Sequence, residues 1–146
     1  MFHCHDWQSA LIPAFLRTIH GAQPVARAAT VLTIHNAAYQ GVFPRTLVRA
    51  AGLPEEEFVP GRLEYYGQLN FLKAGLVYAE KINAVSPSYA QEVQRSAEFG
   101  RGLEGVLRGR SADLCGILNG LDADAWDPAR DPHLPRRYGV EDVSEG

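Results

Sequence analysis

The sequence has no basic excess: 14 Lys and Arg stand against 17 Asp and Glu, for a formal net charge of −3. Neutralising phosphates takes clustered cations, so the composition argues against recognition of nucleic acid by a cationic face. Arg101, Arg108, Arg110, Arg136 and Arg137 are dispersed among acids, as on a solvated surface. Cysteine is scarce. Cys4 and Cys115 form no CxxC pair, and each lies in an apolar, strand-like stretch. A free thiol there behaves as a small buried hydrophobe, so two inert core cysteines in a reducing compartment are expected. No apolar run approaches the roughly 20 residues that span a bilayer, and no charged-then-apolar leader is present. The chain therefore reads as cytoplasmic, with no membrane partner. A P-loop and a Gly-x-Ser-x-Gly elbow are missing, and the one Gly-x-Gly-x-x-Gly spacing, Gly100 to Gly105, follows a helical stretch rather than the strand that a dinucleotide fingerprint requires. Nicotinamide-dependent, phosphoryl-transfer and serine-hydrolase chemistry therefore lose their support.

What is present is globular: 146 residues, 46% apolar and 21% charged, are enough for one domain with a hydrophobic core. Residues 1–4 resemble the end of a buried strand, from which further sequence upstream is expected. Asp6 is placed to cap a helix over 7–19, with Leu11, Ile12, Phe15, Leu16 and Ile19 at helical spacing and a kink or late start at Pro13. Residues 28–34 are short, apolar and β-branched, as a buried strand should be. A short helix is expected over 46–51, and Glu55 to Glu57 between Pro54 and Pro60 mark an exposed connection. A helix over 66–79 follows, then a strand over 81–85 ended by Ser86-Pro87, and a helix opened by Ser88, Tyr89 and Val93. A turn at Phe99, Gly100 and Gly102, a short helix over 103–108 and a strand over 114–118 complete the pattern. Strands alternating with helices imply parallel βαβ units in a doubly wound α/β sheet. Residues 1–126 form the domain. Residues 127–146, rich in Asp, Pro and Arg, read as the start of a linker.

In such sheets ligands bind outside the carboxyl ends of the strands. Four polar clusters fall there: His3-Cys4-His5-Asp6, His35-Asn36, Ser86-Pro87-Ser88 and Asn119-Gly120. Strand neighbours point to opposite faces. His3 and His5 therefore share a face while Cys4 does not, which argues against a metal site. A neutral His5 suits hydrogen bonding to a hydroxyl-rich ligand, or satisfaction by the backbone. His35, Asn36 and Gln40 offer neutral donors and acceptors of the same kind. Tyr39, Tyr65, Tyr66 and Phe43 offer faces for sugar rings, or edge packing. Lys73, alone in an apolar helix, either snorkels to solvent or meets a fixed anion.

The strings His5-Asp6-Trp7-Gln8 and Thr33-Ile34-His35-Asn36-Ala37-Ala38-Tyr39-Gln40-Gly41-Val42-Phe43-Pro44 closely resemble bacterial glycogen synthases and plant starch synthases. So do Tyr66-Gly67-Gln68-Leu69-Asn70-Phe71-Leu72-Lys73-Ala74-Gly75-Leu76, Val85-Ser86-Pro87-Ser88-Tyr89-Ala90 and Gly116-Ile117-Leu118-Asn119-Gly120-Leu121-Asp122. Order and spacing match from about residue 3 to 138, with Ala37-Ala38 standing where a leucine often precedes the alanine. The resemblance implies a two-lobed GT-B glycosyltransferase with twin Rossmann-like domains. On that likeness the chain is the second half of the amino-terminal lobe, and the rest of both lobes is its missing partner. It further implies retaining transfer of glucose from ADP-glucose to the non-reducing end of an α-1,4-glucan, with no cofactor or metal. His5 would contact the transferred glucose, Asp6 and Trp7 would shape the same turn, and His35, Asn36, Tyr39 and Gln40 would line the acceptor side. The isolated segment would then be inactive. Competing readings are another retaining two-lobed glucosyltransferase and a non-catalytic glucan-binding module.

Overall fold

The computed structural model describes residues 1–141. Residues 142–146, the last part of the expected linker, lie outside them. β1 (Phe2–His5), α1 (Asp6–Ser9) and α2 (Leu11–Arg17) open the chain, followed by β2 (Thr30–Ile34), β3 (Val42–Pro44) and α3 (Leu47–Ala50). Then come β4 (Glu64–Tyr65), β5 (Gln68–Asn70), α4 (Phe71–Tyr78) and β6 (Lys81–Ala84). α5 (Pro87–Arg95), α6 (Ala97–Gly100), α7 (Glu104–Gly109) and β7 (Leu114–Gly116) complete the order. No helix or strand follows β7 among the described residues.

The parallel α/β sheet expected from the alternation is there, in the order β1-β2-β6-β7 with all pairs parallel. The order runs one way. Right-handed crossovers therefore carry the intervening helices over a single face of these strands. The pairing register aligns Cys4, Leu32, Ile82 and Leu114 in one row, and this row meets the helices. Cys4, Leu32 and Ile82 pack there with Leu72, Leu76, Val93, Leu103 and Leu107. The alternate row, His5, Thr33, Asn83 and Cys115, points the other way. Cys115 is consequently exposed, so only Cys4 is the buried core thiol that both were expected to be. Burial pushes the Cys4 thiol up from its ordinary range.

A second, antiparallel sheet, β3-β5-β4, was not anticipated. It shares a core with α2 and α4 through Leu11, Ala14, Val48, Leu63, Leu69 and Ala74. Its presence shortens the helix expected over 66–79. Leu69 is buried from a strand, and α4 starts only at Phe71, where the Asn70 side chain caps it by accepting the Lys73 backbone N–H at 2.9 Å. The helix expected over 7–19 is also interrupted, at Ala10, and ends before Ile19, which is exposed. Glu57 is buried rather than part of an exposed connection. It accepts Arg62 Nη1 at 2.6 Å and the Tyr78 hydroxyl. Arg110 closes the other end of α4 by donating to the carbonyls of Leu76, Val77, Ala79 and Glu80.

Candidate active-site edge

Parallel pairing of β1 with β2 brings their carboxyl ends side by side, and the sequence places a histidine at each. His5 Nδ1 lies 3.0 Å from His35 Nε2. His3 stacks on His5 with ring centroids 4.3 Å apart, and its Nε2 lies 2.8 Å from Thr33 Oγ1. The contact between His5 and His35 constrains both rings. Each neutral imidazole carries one proton, and one proton occupies the shared hydrogen bond. If His35 donates, His5 Nε2 becomes a donor and His35 Nδ1 an acceptor; if His5 donates, the two roles exchange. Either way the outward nitrogens form one donor and one acceptor. A sugar hydroxyl, which both donates and accepts, is complementary to that pair.

Asp6 does not cap α1 as expected. It is the first helical residue, with φ of 50°, and it makes no capping bond. Its Oδ1 instead accepts the His35 backbone N–H at 2.8 Å, tying the two strand ends together. The start of the helix is secured by Ser9, whose Oγ accepts the His5 N–H at 2.6 Å and donates to the His5 carbonyl at 2.9 Å. Asn36 is exposed, and its Oδ1 accepts the Ala38 N–H at 2.9 Å, forming a local turn that fixes the loop after β2. Tyr89, whose role was not read from the sequence, accepts the Ala37 N–H through its hydroxyl oxygen at 2.9 Å. The signal available was its place three residues into a helix begun by the Ser86 cap and Pro87.

Beyond that loop lies an open groove of about 600 Å³ lined by Trp7, Tyr39, Gly41, Phe43 and Arg101 among others. Tyr39 is two-thirds exposed there. Trp7 is half-buried, its ring 5.7 Å from Phe43 and 6.2 Å from Phe71. Gly41 adopts φ of +63°, and a Cβ at that position would approach the Trp7 ring to 2.5 Å. Gln40 also lines this groove, with its amide engaged inside the protein. It is buried, its Nε2 donates to the Ala37 and Arg101 carbonyls at 3.1 and 3.0 Å, and its Oε1 accepts Asn70 Nδ2 at 2.6 Å. Both its amide protons are spent inside the protein, so it shapes the groove wall.

Lys73 takes neither expected course. Nearly buried, it donates from Nζ to the carbonyls of Pro60 and Glu64. Burial lowers its pKa, with the Glu64 charge opposing. Asn119 and Gly120 are exposed beyond the end of β7. Among the described residues, no group of three or more His, Cys, Asp and Glu is arranged to hold a metal ion.

Residues 1–109 match the family model for the starch synthase catalytic domain. The chain is 48% identical over 146 residues to the glycogen synthase of Moorella thermoacetica, covering 99% of this chain and 30% of that one. It is 52% identical over 139 residues to the glycogen synthase of Thermotoga maritima, covering 94% and 28%. A solved structure of the catalytic domain of starch synthase IV from Arabidopsis thaliana, bound to ADP and acarbose, superposes with a TM-score of 0.78. The identity there is 33%, over 97% of this chain and 29% of that one. The chain thus spans about 30% of the length of the curated relatives it matches.

Proposed function

Because this chain belongs to the starch synthase catalytic domain family of GT-B glycosyltransferases, we propose that it forms one wall of the active-site cleft of a glucan synthase. The reaction is transfer of glucose from ADP-glucose to the non-reducing end of an α-1,4-glucan, with retention, in the cytoplasm, and without a metal or other cofactor. The observation that carries this reading is the joined histidine pair at the carboxyl ends of β1 and β2, with its complementary outward donor and acceptor. His5 holds the transferred glucose. His35 couples its own tautomer to that of His5 through the shared proton, and Asp6 fixes the His35 backbone. Trp7 and Tyr39 present aromatic faces to the acceptor, and Asn36 shapes the loop between them. Gln40 supports that wall. ADP and acarbose in the Arabidopsis relative are a nucleotide and a sugar-like ligand of the classes this reading requires.

Catalysis also needs cations placed on the leaving diphosphate, and this wall offers few. The function therefore belongs to the cleft as a whole, and the 146-residue chain alone is expected to be inactive. The test is a chimera in which this chain replaces the matching segment of Thermotoga maritima glycogen synthase. Incorporation of labelled glucose from ADP-glucose into glycogen is expected. A folded chimera that transfers none would refute the assignment.

A further inference from the structure

A second, smaller cavity of about 230 Å³ lies beside the groove, lined by Pro60, Glu64, Tyr65, Tyr66, Lys73 and Gly102. The two share a wall. Arg101 lines the groove and Gly102 lines the cavity. The Arg101 carbonyl is pinned from both sides, by Gln40 Nε2 at 3.0 Å and by the Tyr65 hydroxyl at 2.9 Å. Both residues of this turn have left-handed backbones, with φ of 52° and 86°, and a Cβ on Gly102 would approach the Tyr65 hydroxyl to 2.2 Å. The turn is thus a fixed low ridge between two aromatic-walled depressions.

Tyr66 is the unusual residue of the second depression. It is 82% exposed, it stands edge-on to Tyr65 with centroids 4.7 Å apart, and its φ is 49°. With Gly67 at φ of 80° it forms the two-residue link between β4 and β5. Such a link requires left-handed backbone at both positions and favours Asn-Gly. A tyrosine here is held against its backbone preference while its ring gains little burial. A ring kept under those conditions is explained by what it touches outside the chain.

We propose that the cavity beside Tyr66 is an outer subsite for the acceptor glucan, so that one chain runs from Tyr39 over the Arg101–Gly102 turn to Tyr65 and Tyr66. The inference rests on the glucan synthase reading. The cavity is smaller than the roughly 300–1,000 Å³ of autonomous ligand sites, which suits one sugar ring of a longer ligand. Its polar group is the Glu64 carboxylate, whose Oε1 accepts the Gly67 N–H at 2.6 Å and whose second oxygen can meet a hydroxyl, beside two aromatic faces that suit a pyranose ring; Lys73 closes the floor, its amine bound to the Pro60 and Glu64 carbonyls. Longer acceptors are therefore bound better than short ones.

Maltodextrins of two to seven glucose units, titrated by calorimetry into the Thermotoga maritima chimera that carries this chain, test this. Affinity should rise with length and level off once both depressions are spanned. Tyr66→Asn suits the turn and should fold at least as well as the parent. It should lose about tenfold of the long-chain affinity and leave the shortest sugars unchanged, the size of one aromatic contact. Tyr66→Phe should retain long-chain binding, and Tyr39→Ala should weaken every length. Unchanged long-chain affinity in Tyr66→Asn, with Tyr39→Ala weakened, overturns the outer subsite and leaves the glucan reading standing. Absence of binding at every length in the parent overturns both.

Discussion

Asn70 links the fold to the groove, and its replacement has a calculable cost. The side chain is fully buried and works at both ends. Its Oδ1 caps α4 at the Lys73 N–H, and its Nδ2 satisfies Gln40 Oε1 at 2.6 Å. Asn70→Ala removes a helix cap worth about 1 kcal/mol. It also strands a buried carbonyl oxygen, at about 1–3 kcal/mol. Gln40 cannot answer by flipping its amide, because its nitrogen already serves the carbonyls of Ala37 and Arg101. The total is about 2–4 kcal/mol, which at a urea slope near 2 kcal/mol/M lowers the unfolding midpoint by about 1–2 M. Asn70→Ser keeps a capping oxygen and should recover about 1 kcal/mol of that loss. Urea unfolding followed by far-UV circular dichroism measures both. A shift below about 0.5 kcal/mol for Asn70→Ala, within the range of an ordinary surface change, would refute the reasoning.

Two further predictions concern titration and reactivity. Asp113 is held below the usual carboxylate range by hydrogen bonding to Lys81 first, then by the Lys81 and Arg110 charges, with desolvation opposing. The unfolded chain therefore binds the proton more readily, so the contribution is complete above about pH 4 and lost as pH falls through the folded value. Asp113→Asn should flatten the acid limb of stability, and urea midpoints with the parent's slope below about pH 4 would contradict this. Cys115 is exposed and Cys4 is buried with a raised pKa, so a thiol reagent at mildly alkaline pH should label one cysteine promptly and the other only as the chain unfolds. Equal labelling rates would show that the two sheet faces are misassigned.

The parallel sheet was legible because its strands are short, apolar and β-branched, and because polar residues recur at their carboxyl ends. That recurrence also marked His5 and His35 as site candidates. Their direct contact follows from the β1–β2 register, in which His5 pairs with Thr33 two residues before His35, and no single-strand pattern encodes a register. β3, β4 and β5 went unread because strands of two or three residues show no period. Leu69 happened to fall at helical spacing, which lengthened the expected helix. Cys115 looked like core because its stretch is apolar, yet alternation turns it to the open face. Gln40 stood out because a loop amide is polar. The partners that occupy it, Asn70 and the Arg101 carbonyl, lie 30 and 61 residues away in sequence. Lys73 is satisfied by two carbonyls, a solution invisible to residue type.

The central claim is that the histidine pair joining the ends of β1 and β2 holds the sugar undergoing transfer. The most direct measurement is turnover of the Thermotoga maritima chimera carrying His5→Ala, set beside its melting temperature. His5 is exposed and its ring caps nothing in the core, so stability should be nearly unchanged. Loss of a hydrogen bond to the reacting sugar and of the paired donor and acceptor should lower turnover at least about tenfold. Turnover equal to that of the parent chimera would contradict the account.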